Sequence, residues 1–151
     1  MIPTRFNIRV YGLLIVAGRV LVSDEWIKGE RITKFPGGGL EPGEGTLDCL
    51  RREIREELNC DVEELHHFYT TDFFQPSAYR AEDQVISIYY TFKLRRPEAL
   101  QAGHTPFGNP VGGREWFRWI DMEKAQVPDV DLPIDQVVMN MLICAERRKN
   151  E

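Results

Sequence analysis

GGLEPGEGTLDCLRREIREELNC, residues 38–60, joins a glycine-rich loop to an acidic helix. Leu47, Leu50, Ile54 and Leu58 recur at steps of three or four, so the spacing predicts an amphipathic helix over 46–58. Thr46 stands where a capping residue starts such a helix. Asn59 stands where it should stop, and asparagine tolerates the left-handed backbone that ends helices. Glu53, Glu56 and Glu57 are spaced i, i+3, i+4 and fall within a sector of about 100°. Three like charges so placed repel one another unless a cation sits among them. Carboxylate oxygens suit hard ions such as magnesium or manganese. The competing reading is a solvated acidic face with Arg51, Arg52 and Arg55 as partners. The preceding loop favours the first reading: residues 36–45 (PGGGLEPGEG) hold five glycines and two prolines. That loop sets flexible backbone and a further carboxylate, Glu44, beside the helix.

Outward from this segment, the chain reads as one domain, 1–151, with 42% hydrophobic and 28% charged residues. A net charge of −5 argues against holding long nucleic acid by charge. It leaves room for small phosphorylated ligands whose charge a metal ion offsets. The three cysteines, Cys49, Cys60 and Cys144, form no C-x-x-C pair. They are expected in or near the core, free of disulfides and zinc. No leader-like segment is visible at the start, and no apolar run is long enough to span a bilayer. A cytoplasmic protein with no membrane partner is expected, and a homodimer is left open.

Residues 6–16 read as a strand, Ala17-Gly18 as a turn and 19–23 as the returning strand. Strands are expected at 62–72 and 85–94, short strands at 31–35 and 115–120, and a loop at 36–45. Polar 75–84 and glycine- and proline-rich 97–113 read as connections. Residues 133–148 read as a second helix, with Pro133 in its first turn and basic residues at its end. The mixed order favours an α/β fold, a mixed sheet with a helix on each face.

The loop and helix together resemble the Nudix box: a glycine, five residues, a glutamate, seven residues, then Arg-Glu-aliphatic-x-Glu-Glu-x-Gly-aliphatic. Gly38, Glu44, Arg52, Glu53, Ile54, Glu56 and Glu57 supply seven of nine specified positions. Asn59 replaces the second glycine and Cys60 the last aliphatic residue. Phe35-Pro36-Gly37-Gly38 before the box and Glu115-Trp116-Phe117 after it also look like the family's flanks. The resemblance implies an α/β/α sandwich of Nudix type. It further implies a Mg2+- or Mn2+-dependent pyrophosphohydrolase that cleaves the P–O–P bridge of a nucleoside diphosphate derivative, with no covalent enzyme intermediate. On that pattern Glu56 and Glu57 bind metal, Glu53 is a ligand or the general base, Arg52 orients a glutamate and Glu44 supports them.

Bases outside the box are sought at Glu82, Asp83 and Glu115. Gly38 and Gly39, through their backbone, and Phe74 and Arg80 are the expected substrate contacts. Phe73, Phe74 and Tyr79 stack a base or belong to the core. Trp116 and Trp119 are expected in or near the core. Nucleoside triphosphates, ADP-ribose and nucleotide sugars all remain open as substrates. The rival function is a catalytically silent Nudix-like nucleotide-binding or regulatory module.

Overall fold

The computed structural model describes residues 2–151. Its strands are β1 (Arg5–Val16), β2 (Arg19–Ile27), β3 (Glu30–Lys34), β4 (Gly37–Gly39), β5 (Val62–Thr70), β6 (Asp83–Leu94) and β7 (Trp116–Asp121). Two helices, α1 (Thr46–Leu58) and α2 (Pro133–Lys149), complete the regular structure with two short 3-10 turns. Two tight hairpins begin the fold. Ala17 (φ 51°) and Gly18 (φ 75°) link β1 to β2, and Lys28 (φ 50°) and Gly29 (φ 80°) link β2 to β3. Positive φ at both central residues matches the turn to the twist of its strands.

β1 organises the sheet. From Arg5 to Leu14 it runs parallel to β6 (Asp83 to Phe92), while its last residues pair antiparallel with β2. β5 extends the sheet beyond β6, β3 and β7 flank β2, and β4 pairs antiparallel with Arg9–Tyr11. The result is the expected mixed sheet with helices on its two faces. Alternate residues of β1 supply both sides. Val10 and Leu14 join Leu50, Ile54 and Cys49 of α1 in one cluster, while Tyr11 and Leu13 join Val138, Met139 and Leu142 of α2 in the other.

Some expectations change. Gly37–Gly39 is a strand, not loop: its backbone pairs with β1, and a Cβ on Gly37 would lie 2.1 Å from the Val10 carbonyl oxygen. β2 continues past residue 23 to Ile27. The N-cap of α1 is Gly45 rather than Thr46; the Gly45 N–H donates to Asp48 at 2.9 Å. The Thr46 hydroxyl instead shares a hydrogen bond with the Tyr90 hydroxyl. Leu47 is exposed, so the apolar stripe consists of Cys49, Leu50 and Ile54, with Leu58 packed at its edge. Asn59 does close the helix in the left-handed conformation at φ 53°. All three cysteines are free; Cys49 and Cys60 are buried, but Cys144 is exposed on α2. Among the described residues no helix is long and apolar enough to cross a membrane.

The segment between β6 and β7 is irregular yet anchored. Asp24, fully buried, accepts hydrogen bonds from the Arg118 guanidinium at 2.7 Å, the Thr33 hydroxyl at 2.7 Å and the Phe107 N–H at 2.9 Å. Trp116 donates its indole N–H to the Thr105 carbonyl, and its ring lies against Gly103 and Gly108. Trp119 packs at the edge of the α1-side cluster.

Candidate active site

Helix phase decides what each glutamate of α1 meets. With Glu53 at zero and ~100° per residue, Cys49 falls at about −40°, Leu50 at about +60° and Ile54 at about +100°. Glu57, at about +40°, lies inside this apolar stripe, whereas Glu56, at about −60°, turns toward solvent. The structure agrees: Glu53's side chain is 14% exposed and Glu56's is 58% exposed. Glu57 Oε2 is buried without a hydrogen-bond partner. Glu53 and Glu56 meet at Arg52 Nη1, at 2.9 and 3.4 Å, while Glu57 stands apart on the buried side. Among the described residues no group of three or more His, Cys, Asp or Glu is gathered closely enough to hold a metal ion.

Arg52 is the hub on the loop side of α1. Its Nε and Nη2 donate to the two oxygens of Glu44 at 3.0 and 2.6 Å, a bidentate pair. Nη1 donates to Glu53 Oε1 at 2.9 Å, and Nη2 also reaches the Gly39 carbonyl at 3.1 Å. This holds the Glu44 carboxyl down at about 2, chiefly through the Arg52 hydrogen bonds. Arg52 thus tethers the glycine loop to the helix and fixes the Glu53 carboxylate. Gly38 must be glycine for the same arrangement, because a Cβ there would lie 2.5 Å from Glu53 Oε1.

A cavity of about 420 Å³ opens where α1, β4, β1 and the start of α2 meet. Glu53, Glu57, Glu25, Glu115 and Asp135 bring carboxylates to its wall; Arg9 and Lys34 bring cations. Burial pushes the Glu57 carboxyl up to about 9; Lys34 opposes the rise, and the charges of Glu115, Glu53 and Glu25 add to it. Burial also lifts Glu115 to about 7, reinforced by Glu25. Asp135, fully buried, is lifted to about 6 by burial although it accepts from the Tyr89 hydroxyl and the Phe35 N–H. A buried carboxylate oxygen with no partner, among further oxygen donors, is the setting a hard divalent cation fits.

The expected residues are placed unevenly. Gly38, Gly39, Glu53, Glu57 and Glu115 line the cavity. Glu44 and Arg52 stand behind it. Glu82 and Asp83 are outside the main cavity, paired with Arg5 at 3.4 and 2.8 Å, although Asp83 lines an adjoining depression. Phe73, Phe74 and Tyr79 are exposed, which removes the core alternative for them. Tyr79 lines the cavity, and Phe74 is not among its lining residues. Arg80 lies on an adjoining depression that shares Asn7, Arg9, Ser77 and Tyr79 with the main cavity.

Sequence reasoning missed Arg9, Glu25, Lys34 and Asp135. The available signal was a charge set directly beside buried apolar residues: Arg9 before Val10 and Tyr11 in β1, and Lys34 before Phe35 at the end of β3.

Comparison with known proteins gives consistent results. The family model described as NUDIX domain matches residues 5–141. No curated protein sequence matches the chain. Among solved structures, the chain is similar to a MutT described from the fish pathogen Aliivibrio salmonicida and from Vibrio cholerae. That match has 17% identity, covers 93% of this chain and 98% of the other, and has a TM-score of 0.62. A Nudix hydrolase from Nitrosomonas europaea aligns at 15% identity over 93% and 89% of the two chains, with a TM-score of 0.67. A MutT Nudix hydrolase from Burkholderia pseudomallei aligns at 16% identity over 89% and 96%, with a TM-score of 0.64.

Proposed function

The chain belongs to the Nudix family of pyrophosphohydrolases, and from that premise we propose that it hydrolyses the pyrophosphate bond of a nucleoside diphosphate joined to another moiety, with Mg2+ or Mn2+ as its cofactor. Nucleoside triphosphates, ADP-ribose and nucleotide sugars are the candidate substrates. The observation that carries this reading is Glu57: a buried carboxylate oxygen without a partner, on a cavity wall shared with Glu53 and Glu115.

Glu53 and Glu57, on the cavity wall, are the residues that would hold the metal, and Glu56 would join them by turning away from Arg52. When bound, a divalent ion supplies neutralisation of diphosphate charge and activation of water. The protein's own part is positional. Arg52 keeps Glu53 turned toward Gly38 and holds Glu44 ionised. Gly38 leaves room for the Glu53 carboxylate, and Gly39 keeps the backbone beside the Arg9 guanidinium open to a phosphate. Glu53 or Glu115 accepts the proton from the attacking water. Glu115 suits this role because its carboxyl titrates near 7, close to the working pH of a general base.

The test is release of phosphate or mononucleotide, with and without Mg2+, from those three substrate classes. Wild-type turnover that vanishes in Glu57→Gln supports the reading. Unchanged turnover in that variant overturns the site. Nucleotide binding without turnover in wild type would favour the silent module.

A further inference from the structure

The cavity carboxylates share their walls with an ammonium group that the sequence motif does not contain. Lys34 ends β3, and its side chain is only 7% exposed. It lines the cavity together with Glu25, Glu53, Glu57 and Glu115. Its Nζ lies 3.1 Å from Glu25 Oε1 and sits over the Tyr11 ring, 5.5 Å from the centroid. The backbone on both sides of Lys34 is clamped to the approach and first turn of α2. Thr33 N–H donates to the Asp131 carboxylate at 2.7 Å, Asp131 N–H donates to the Thr33 carbonyl at 2.9 Å, and Phe35 N–H donates to Asp135 at 3.1 Å. Side chains alternate along a strand, so Thr33 turns to Asp24 while Lys34 turns into the cavity.

A buried lysine is costly to charge. Glu25 is one partner, yet an ammonium has three donors, and this one makes a single ion pair, to Glu25, among the described residues. A simple structural pair needs no place inside a ligand-sized cavity. An anion in this cavity would share its wall with Lys34.

Building on the pyrophosphohydrolase reading, we propose that Lys34 is a resident cation of the phosphate site, binding a non-bridging oxygen of the substrate's diphosphate opposite Glu53 and Glu57. It supplies in fixed form part of the positive charge that divalent ions supply elsewhere in the site. A preorganised donor in a water-poor cavity stabilises developing phosphate charge without reorganising.

Two effects of opposite sign separate this role from a structural one. Lys34 repels a divalent ion bound by the neighbouring glutamates, so Lys34→Met should bind Mn2+ more tightly, by about threefold or more. The same variant should bind a methylene-bridged nucleoside diphosphate analogue more weakly, on the order of 30-fold, and lose about 100-fold in kcat/KM. Lys34→Arg should retain most of the analogue affinity. Calorimetry with Mn2+ alone, then with the analogue in the presence of Mg2+, reads both effects. In the wild type, the Lys34 15Nζ resonance should shift when the analogue binds, a measurement that does not depend on any variant folding.

Weakened Mn2+ binding in Lys34→Met, unchanged analogue affinity, or a static Lys34 resonance would each overturn the proposal. The pyrophosphohydrolase reading fails separately: wild-type protein would then neither turn over a diphosphate substrate nor bind the analogue.

Discussion

The clearest consequence of burying Glu57 is a pH-dependent stability that a metal ion should erase. In the metal-free protein its carboxyl titrates near 9, against an ordinary value of 4.5. The folded state therefore keeps a proton that the unfolded state has released. Stability linked to such a group is fully present below the unfolded value and is lost as pH rises through the folded value. Between the two values the slope approaches ~1.4 kcal/mol per pH unit. Glu115 and Asp135 act in the same direction, but their windows close near 7 and 6. From about pH 7.5 to 8.5, Glu57 is the carboxyl that still contributes, and the expected loss is about 1 kcal/mol, or about 2–4 °C in Tm for a chain of this size. Thermal unfolding by circular dichroism in EDTA measures it. Glu57→Gln, which stays neutral, should flatten the slope over this interval. Excess Mg2+ should flatten it in the wild type and do nothing further in the variant. An equally steep slope in wild type and Glu57→Gln without metal would refute the reasoning.

Two more outcomes follow from the geometry. Gly38→Ala sets a methyl group 2.5 Å from Glu53 Oε1; it should weaken Mn2+ binding by tenfold or more, read by calorimetry, on the scale seen when groups supporting a ligand are disturbed. Arg118→Met leaves Asp24 buried beside only the Thr33 hydroxyl and the Phe107 N–H; urea unfolding should register a loss of about 3–5 kcal/mol, and a loss below about 1 kcal/mol would contradict that anchoring role.

Much of the site could be read from the order of residues because α1 is regular. A helix converts spacing into direction, so Glu53 and Glu57 could be assigned to one side before any coordinates were known. The same rule, applied with the correct stripe, separates Glu56 from them. Counting Leu47 as part of the stripe hid how far Glu57 is buried. What could not be read depends on partners distant in sequence. Gly37–Gly39 has no strand propensity, yet the backbone of Arg9–Tyr11 recruits it into the sheet. Lys34 and Glu25 carry no motif, and only the β2–β3 hairpin and the first turn of α2 bring them to the cavity. The aromatic residues after β5 looked suited to packing; Phe73 and Phe74 instead face solvent at 40% and 59% exposure.

The stitching of β3 to α2 also dictates the order in which the molecule can become functional. The backbone N–H groups of Thr33 and Phe35 donate to Asp131 and Asp135, about a hundred positions later. A nascent polypeptide that has already presented its whole acidic helix still lacks the floor beneath Lys34. During vectorial synthesis the cavity therefore stays open until Leu132–Asp135 emerge, and a translation product that stops short of them would carry the acidic helix while lacking one wall of that cavity.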